Sequence, residues 1–127
     1  MEKSKQKKQP APLSRAEALS YRPVRNPEVR DEVLDTGEVM IIYPVRVRPW
    51  FVRMAQRLGW NSDAPIIKKL QLDELGTATW KLMDGERTVK QIVREFGARY
   101  QLQSKEAEVS VTAFIRELGR RGIIGLH

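Results

Sequence analysis

From Asp73 onward the chain carries three helix-start signals in succession, and this constrains its fold more than any other feature. Asp73 can cap a helix over residues 74–83. Thr88, with Gln91 three residues on, forms a capping box that opens a second helix to about residue 99. Ser104 is the expected cap of a third, with Glu106 and Glu108 near the positive end of its dipole. Each start leads into apolar residues at helical spacing. These are Leu75, Ala78, Thr79 and Leu82, then Val89, Ile92, Val93 and Phe96, then Ala107, Val111, Phe114, Ile115 and Leu118. The turns between them are short, Asp84-Gly85 being the first, which predicts a helix-turn-helix trihelical core. Gly122 ends the last helix, and Ile123-Ile124 makes a short apolar return.

Three strands are expected ahead of the helices. Residues 29–34 and 39–43 form a hairpin over Asp35-Thr36-Gly37-Glu38, with Gly37 supplying a positive φ at the turn. The run Val39-Met40-Ile41-Ile42-Tyr43 is apolar on both faces, so both faces are expected to be covered. Pro44 then removes a ladder donor and should loosen the pairing. Residues 66–72 form the third strand. Lys68, Leu70 and Leu72 share one face and Ile67, Lys69 and Gln71 the other, and the lysines mark it as an edge strand. Strands followed by helices predict an α+β fold, winged helix-turn-helix-like, with a three-stranded antiparallel sheet followed by three helices.

Two stretches fall outside this frame. Residues 1–22 read as a disordered basic tail, with Lys3, Lys5, Lys7 and Lys8 ahead of Pro10 and Pro12. Within it, Ser14 and Glu17 offer a capping box for a short helix that would be marginal alone. Residues 23–127 then make one domain with an insert at about 46–65. There Arg46, Arg48, Arg53 and Arg57 interleave with Trp50, Phe51, Met54, Leu58 and Trp60. A helix over residues 49–58 would align Trp50, Met54 and Leu58. Such a stripe suits a lid on the sheet, or a membrane-surface or partner contact through 46–60.

Composition excludes much chemistry. There is no cysteine, and the single histidine is His127. Disulfides, thiolate metal sites, iron–sulfur clusters, cysteine nucleophiles and histidine triads are thereby removed. No phosphate-binding loop, dinucleotide fingerprint, H-E-x-x-H or EF-hand pattern is present. Asp35-Thr36-Gly37 resembles the aspartic-protease triplet, but it occurs once, at a hairpin tip, and a turn explains it. The chain is therefore expected to be no enzyme and to carry no cofactor or metal. No apolar run approaches the ~20 residues of a membrane span, and no signal peptide is evident, so a cytoplasmic location is expected.

The net charge is +7. It gathers on the tail, on the insert and on the third strand, whereas the last helix opens with Glu106 and Glu108. A DNA-reading helix contacts bases through its N-terminal residues, where these acids would be repelled by phosphate. A winged-helix nucleic-acid binder is the alternative reading, and this placement argues against it.

The run from Leu72 to Val93, L-D-E-L-G-T-A-T-W-K-L-M-D-G-E-R-T-V-K-Q-I-V, resembles the signature of the PqqD family, coenzyme PQQ synthesis protein D. The Phe114-Ile115, Leu118 and Gly122-Ile123-Ile124 ending is similar too. Asp73 stands where the family has Asn and keeps the cap, while the insert and the basic tail depart from short family members. The resemblance implies a RiPP recognition element, a non-catalytic module of cofactor or natural-product biosynthesis. It would bind the leader of a ribosomally made precursor peptide by strand addition and present it, as a peptide chaperone, to a modifying enzyme, often a radical SAM protein. The implied peptide-binding residues are Ile67, Lys68, Lys69, Leu70 and Gln71 on the third strand, with Glu108, Thr112 and Arg116 on the third helix. The opposite flank of that helix, with Glu117 and Arg121, is the open alternative.

Overall fold

The computed structural model describes residues 14–45, 54, 57–59 and 66–127. Within them the chain runs α1 (Arg15–Ser20), β1 (Pro23–Arg25), β2 (Arg30–Val33), β3 (Val39–Val45), β4 (Ile66–Gln71), α2 (Glu74–Leu82), α3 (Val89–Tyr100), α4 (Ser104–Arg120) and β5 (Ile124–Leu126). The architecture is α+β, with an antiparallel sheet in the order β2-β3-β4 and three helices after it. A second, two-stranded sheet joins β1 to β5. That ladder is absent from the sequence expectation, which took residues 123–124 as a bare apolar return.

The ladders fix which backbone groups face where. Leu34 N–H donates to Glu38 O at 2.8 Å, and Leu72 N–H donates to Val39 O at 2.8 Å. Hydrogen-bonded pairs alternate along antiparallel strands. On β3, Ile41, Tyr43 and Val45 therefore bond toward β4, while Met40, Ile42 and Pro44 face β2. Pro44 is thus harmless to the β3–β4 ladder, contrary to the expected loosening. Its missing donor lies on the side where β2 has already ended. Gly37, at φ 89°, donates to Leu34 O at 2.8 Å and closes the Asp35-Thr36-Gly37 turn.

The core lies between one face of this sheet and the helices. Val39, Ile41, Tyr43 and Leu72 meet Trp80, Met83, Val89, Ile92, Phe96, Val111, Ile115 and Leu118. Three start signals act largely as expected. Asp73 Oδ1 accepts from Gly76 N–H at 2.7 Å, and the Thr88–Gln91 and Ser14–Glu17 boxes are closed. Two expectations change. The cap of α4 is Gln103, whose N–H is accepted by Glu106 Oε1 at 3.1 Å, so Ser104 is the first helical residue. Leu75, expected inward, is 46% exposed, because α2 turns Gly76, Thr77 and Trp80 into the core instead. Trp80 is held from three sides. Its Nε1–H donates to Asp31 Oδ2 at 2.9 Å, its carbonyl accepts from Arg25 Nη2 at 2.5 Å, and the Arg25 guanidinium lies 3.9 Å from its ring centre.

The segment 14–22, which the sequence reading placed in the tail, carries α1 and two backbone ties. Val89 N–H donates to Tyr21 O at 2.8 Å, and Arg22 exchanges hydrogen bonds with His127 at 3.0 and 2.9 Å. Most of the expected 49–58 helix lies outside the described residues. Leu58 N–H donates to Met54 O at 3.2 Å, one helical turn, and both side chains are exposed rather than packed as a lid.

Candidate peptide-binding edge

β4 is an outer strand of the three-stranded sheet, as its lysines suggested. By the same alternation, Lys68 and Leu70 bond inward to Tyr43 and Ile41. Ile67, Lys69 and Gln71 turn their N–H and C=O groups to the free side. Ile66, Ile67, Lys68, Lys69 and Gln71 are exposed, and only Leu70 leans into the core. Exposed isoleucines on an outer strand are an exception to the usual protection of such edges.

The flank of α4 that faces the sheet is set by two contacts. Arg121 Nη1 donates to the Tyr43 hydroxyl at 2.7 Å, and Tyr43 is the register partner of Lys68. Phe114 comes so near α2 that a Cβ at Gly76 would lie 3.3 Å from its Cε1. Phe114, Glu117 and Arg121 recur at i, i+3 and i+7, one side of the helix. Arg121 Nε also donates to Glu117 Oε2 at 2.7 Å, and Arg120 pairs with the same carboxylate. The Arg121 hydrogen bond foremost, with the charges of Arg120 and Arg121, holds the Glu117 carboxyl below the usual range. Tyr43 and Glu117 in turn hold the Arg121 guanidinium more firmly protonated.

Glu108, Thr112 and Arg116 are elsewhere. They lie on the opposite flank of α4, under α1 and beside β5. Arg15 Nη2 meets Glu108 Oε1 at 2.7 Å while Arg15 Nε meets Oε2 at 2.7 Å, a two-point clasp. That bond lowers the Glu108 carboxyl and stabilises the charged Arg15. Thr112 and Arg116 line a groove with Ala18 and Leu126. The structure therefore brings Ile67–Gln71 together as one edge but separates them from the three helix residues. Glu117 and Arg121, left open in the sequence, take the sheet-facing position. Phe114 joins them; its place in the buried stripe was visible, its partial exposure beside α2 was not.

Among the described residues there is no group of three His, Cys, Asp or Glu side chains able to hold a metal. No described helix is long and apolar enough to cross a membrane.

The geometry defines an α+β domain whose outer strand β4, unpaired on its far side among the described residues, lies next to the flank of the longest helix. Residues 66–124 match the family model described as Coenzyme PQQ synthesis protein D (PqqD). The match starts at β4 and runs through α2, α3 and α4 into β5, so it spans the open edge and the helix beside it. No curated protein and no solved structure matches the chain. That family-model match supports a role in PQQ or related ribosomal-peptide biosynthesis, together with a partner protein or peptide.

Proposed function

We propose that this domain binds the leader of a ribosomally made precursor peptide as an added strand on β4 and presents it to a modifying enzyme, without catalysis of its own. The observation that carries the reading is the outward backbone of Ile67, Lys69 and Gln71, beside the Phe114–Glu117–Arg121 flank. Strand addition draws affinity from such unpaired backbone groups and selectivity from the side-chain pockets next to them. Lys68 and Lys69, exposed on opposite faces of β4, favour a leader with acidic residues. The peptide's inner side chains would meet Phe114 and Leu70. The modification itself belongs to the partner, a radical SAM protein in many such pathways.

Titration of the full chain with candidate leader peptides, followed by amide chemical shifts, tests this. Shifts are expected at residues 66–72 and at Phe114, Glu117 and Arg121. Saturable binding that leaves these positions unmoved, or no binding by any leader encoded beside the gene, would overturn it.

A further inference from the structure

The two walls of the cleft beside β4 change character in the same direction. On the strand side, Leu72, Leu70 and Lys68 share the face turned to the core, since they lie opposite Val39, Ile41 and Tyr43. That face runs from apolar to basic toward the start of β4. On α4, Phe114 stands at the Leu72 end: a Cβ at Gly76 would lie 3.3 Å from Phe114 Cε1 and 3.4 Å from Leu72 Cβ. Arg121 stands at the Lys68 end, its Nη1 2.7 Å from the hydroxyl of Tyr43, the register partner of Lys68. The helix rises about 10 Å from Phe114 to Arg121, and the strand spans about 13 Å from Leu72 to Lys68, so the apolar ends coincide and so do the basic ones. The basic end is uncompensated. Arg120 and Arg121 share the single Glu117 carboxylate, and Lys68 has no ion pair among the described residues.

We infer that this cleft reads the order of residues in the leader: an apolar side chain first, then a carboxylate two positions further toward the C-terminus. The inference rests on the leader joining β4, as proposed above. Ile67, Lys69 and Gln71 hold the outward backbone groups, so the leader residues opposite them form the hydrogen-bonded pairs. Those opposite Lys68 and Leu70 fall in the non-hydrogen-bonded pairs, where facing side chains come closest. They are two residues apart, so both turn to the core side. An antiparallel strand is the more stable per residue and continues the pattern of this sheet. Read from its own N-terminus, such a strand meets Leu70 before Lys68. The residue opposite Leu70 packs on Leu70 and Phe114 and is apolar. The residue opposite Lys68 sits between Lys68 and Arg121 and is acidic. Lys69 lies on the other face of the sheet and does not enter the choice. The reverse order sets a carboxylate beside Phe114 and an apolar group between cations, which disfavours it at both positions.

Two synthetic peptides of one composition test this, titrated into the full chain and followed by amide chemical shifts. They are acetyl-Thr-Leu-Thr-Leu-Thr-Glu-Thr-amide and its reverse, acetyl-Thr-Glu-Thr-Leu-Thr-Leu-Thr-amide. The first should bind about tenfold more tightly, the scale of one charge-assisted hydrogen bond. Lys68→Gln should erase most of that ratio. Lys69→Gln makes the same charge change on the opposite face, so it should weaken both peptides alike and keep the ratio. Both lysines are exposed, so the melting temperatures of the variants should stay near that of the parent. Equal binding of the two peptides, tighter binding of the reverse, or a ratio that falls as far in Lys69→Gln as in Lys68→Gln would overturn the inference. A leader that binds at residues 66–72 when neither peptide does would overturn it too, and would leave the proposed function standing. Failure of both peptides and of every leader would overturn the two together.

Discussion

Two adjacent proline substitutions on β4 should have opposite consequences. Lys68 N–H bonds inward to Tyr43, while Lys69 N–H points to the free side of the sheet. Lys68→Pro therefore removes a ladder donor, leaves the Tyr43 carbonyl short of a partner and pushes a ring against β3. An unsatisfied buried group costs about 1–3 kcal/mol, so the melting temperature should fall by roughly 10 °C. Lys69→Pro removes only a solvent-facing donor, a tolerated place for proline on an outer strand, and should melt within a few degrees of the parent. Pro44 already occupies an equivalent position on β3, with no donor owed to β4. Leader binding should reverse the ranking. Lys69→Pro loses one intermolecular hydrogen bond worth about 0.5–1.5 kcal/mol, a weakening of roughly two- to tenfold or more once the ring's bulk is added. Differential scanning fluorimetry and calorimetric titration of a leader read the two effects. A fall in stability confined to Lys69→Pro would refute the assigned register. Unchanged leader affinity in Lys69→Pro would refute strand addition.

Tyr100 has a buried hydroxyl without a hydrogen-bond partner among the described residues, its ring 5.1 Å from that of Phe96. Tyr100→Phe should be neutral or stabilising by up to about 1 kcal/mol in denaturant unfolding, and a clear loss would reveal a partner for the hydroxyl. At Gly97 a Cβ would lie 3.1 Å from Ala107 Cβ, where α3 packs on α4; Gly97→Leu should destabilise by about 1–3 kcal/mol through overpacking. Glu17 is lowered chiefly by its bonds from Ser14, and Glu108 by Arg15. A carboxyl whose folded pKa is depressed contributes stability that is complete above its unfolded pKa and fades as pH falls through the folded value. The attachment of α1 should therefore hold at neutral pH and loosen below the ordinary carboxylate range, ahead of the core. Amide signals of residues 15–20 would shift first on acidification, and Glu108→Gln should weaken the pH dependence of that early step, leaving the part carried by Glu17.

The helices were legible because their signals are local. Thr88 with Gln91, Ser14 with Glu17, and the stripe through Ala107, Val111, Ile115 and Leu118 each sit within a few turns of one helix. The edge character of β4 was equally legible, since Lys68 and Lys69 are compatible only with exposed faces. The β1–β5 ladder was not, because three-residue strands have no period to detect and their pairing joins distant parts of the chain. The sheet-facing flank of α4 was hidden for a related reason. Both flanks carry polar residues at equal angles from the buried stripe, and only the approach of Tyr43 and Gly76 distinguishes them. Leu75 shows the limit of periodicity. The deep side of α2 belongs to Trp80, with Gly76 and Thr77 buried beside the expected Ala78 and Thr79, and Leu75 falls outside it.

The ladder between β1 and β5 also bears on the order of events in folding. It pairs the first and last of the described strands, and contacts so far apart in sequence carry a large loop-closure cost. The contacts of β2–β4 and of α2–α4 are closer in sequence, so the ladder is expected to close last, together with the seating of Ile123 and Ile124 in the core. An element formed after the transition state governs the unfolding rate and leaves the folding rate almost untouched. Arg22, His127 and the docked α1 thus act as a latch in time: weakening them shortens the lifetime of the folded domain far more than it slows its formation.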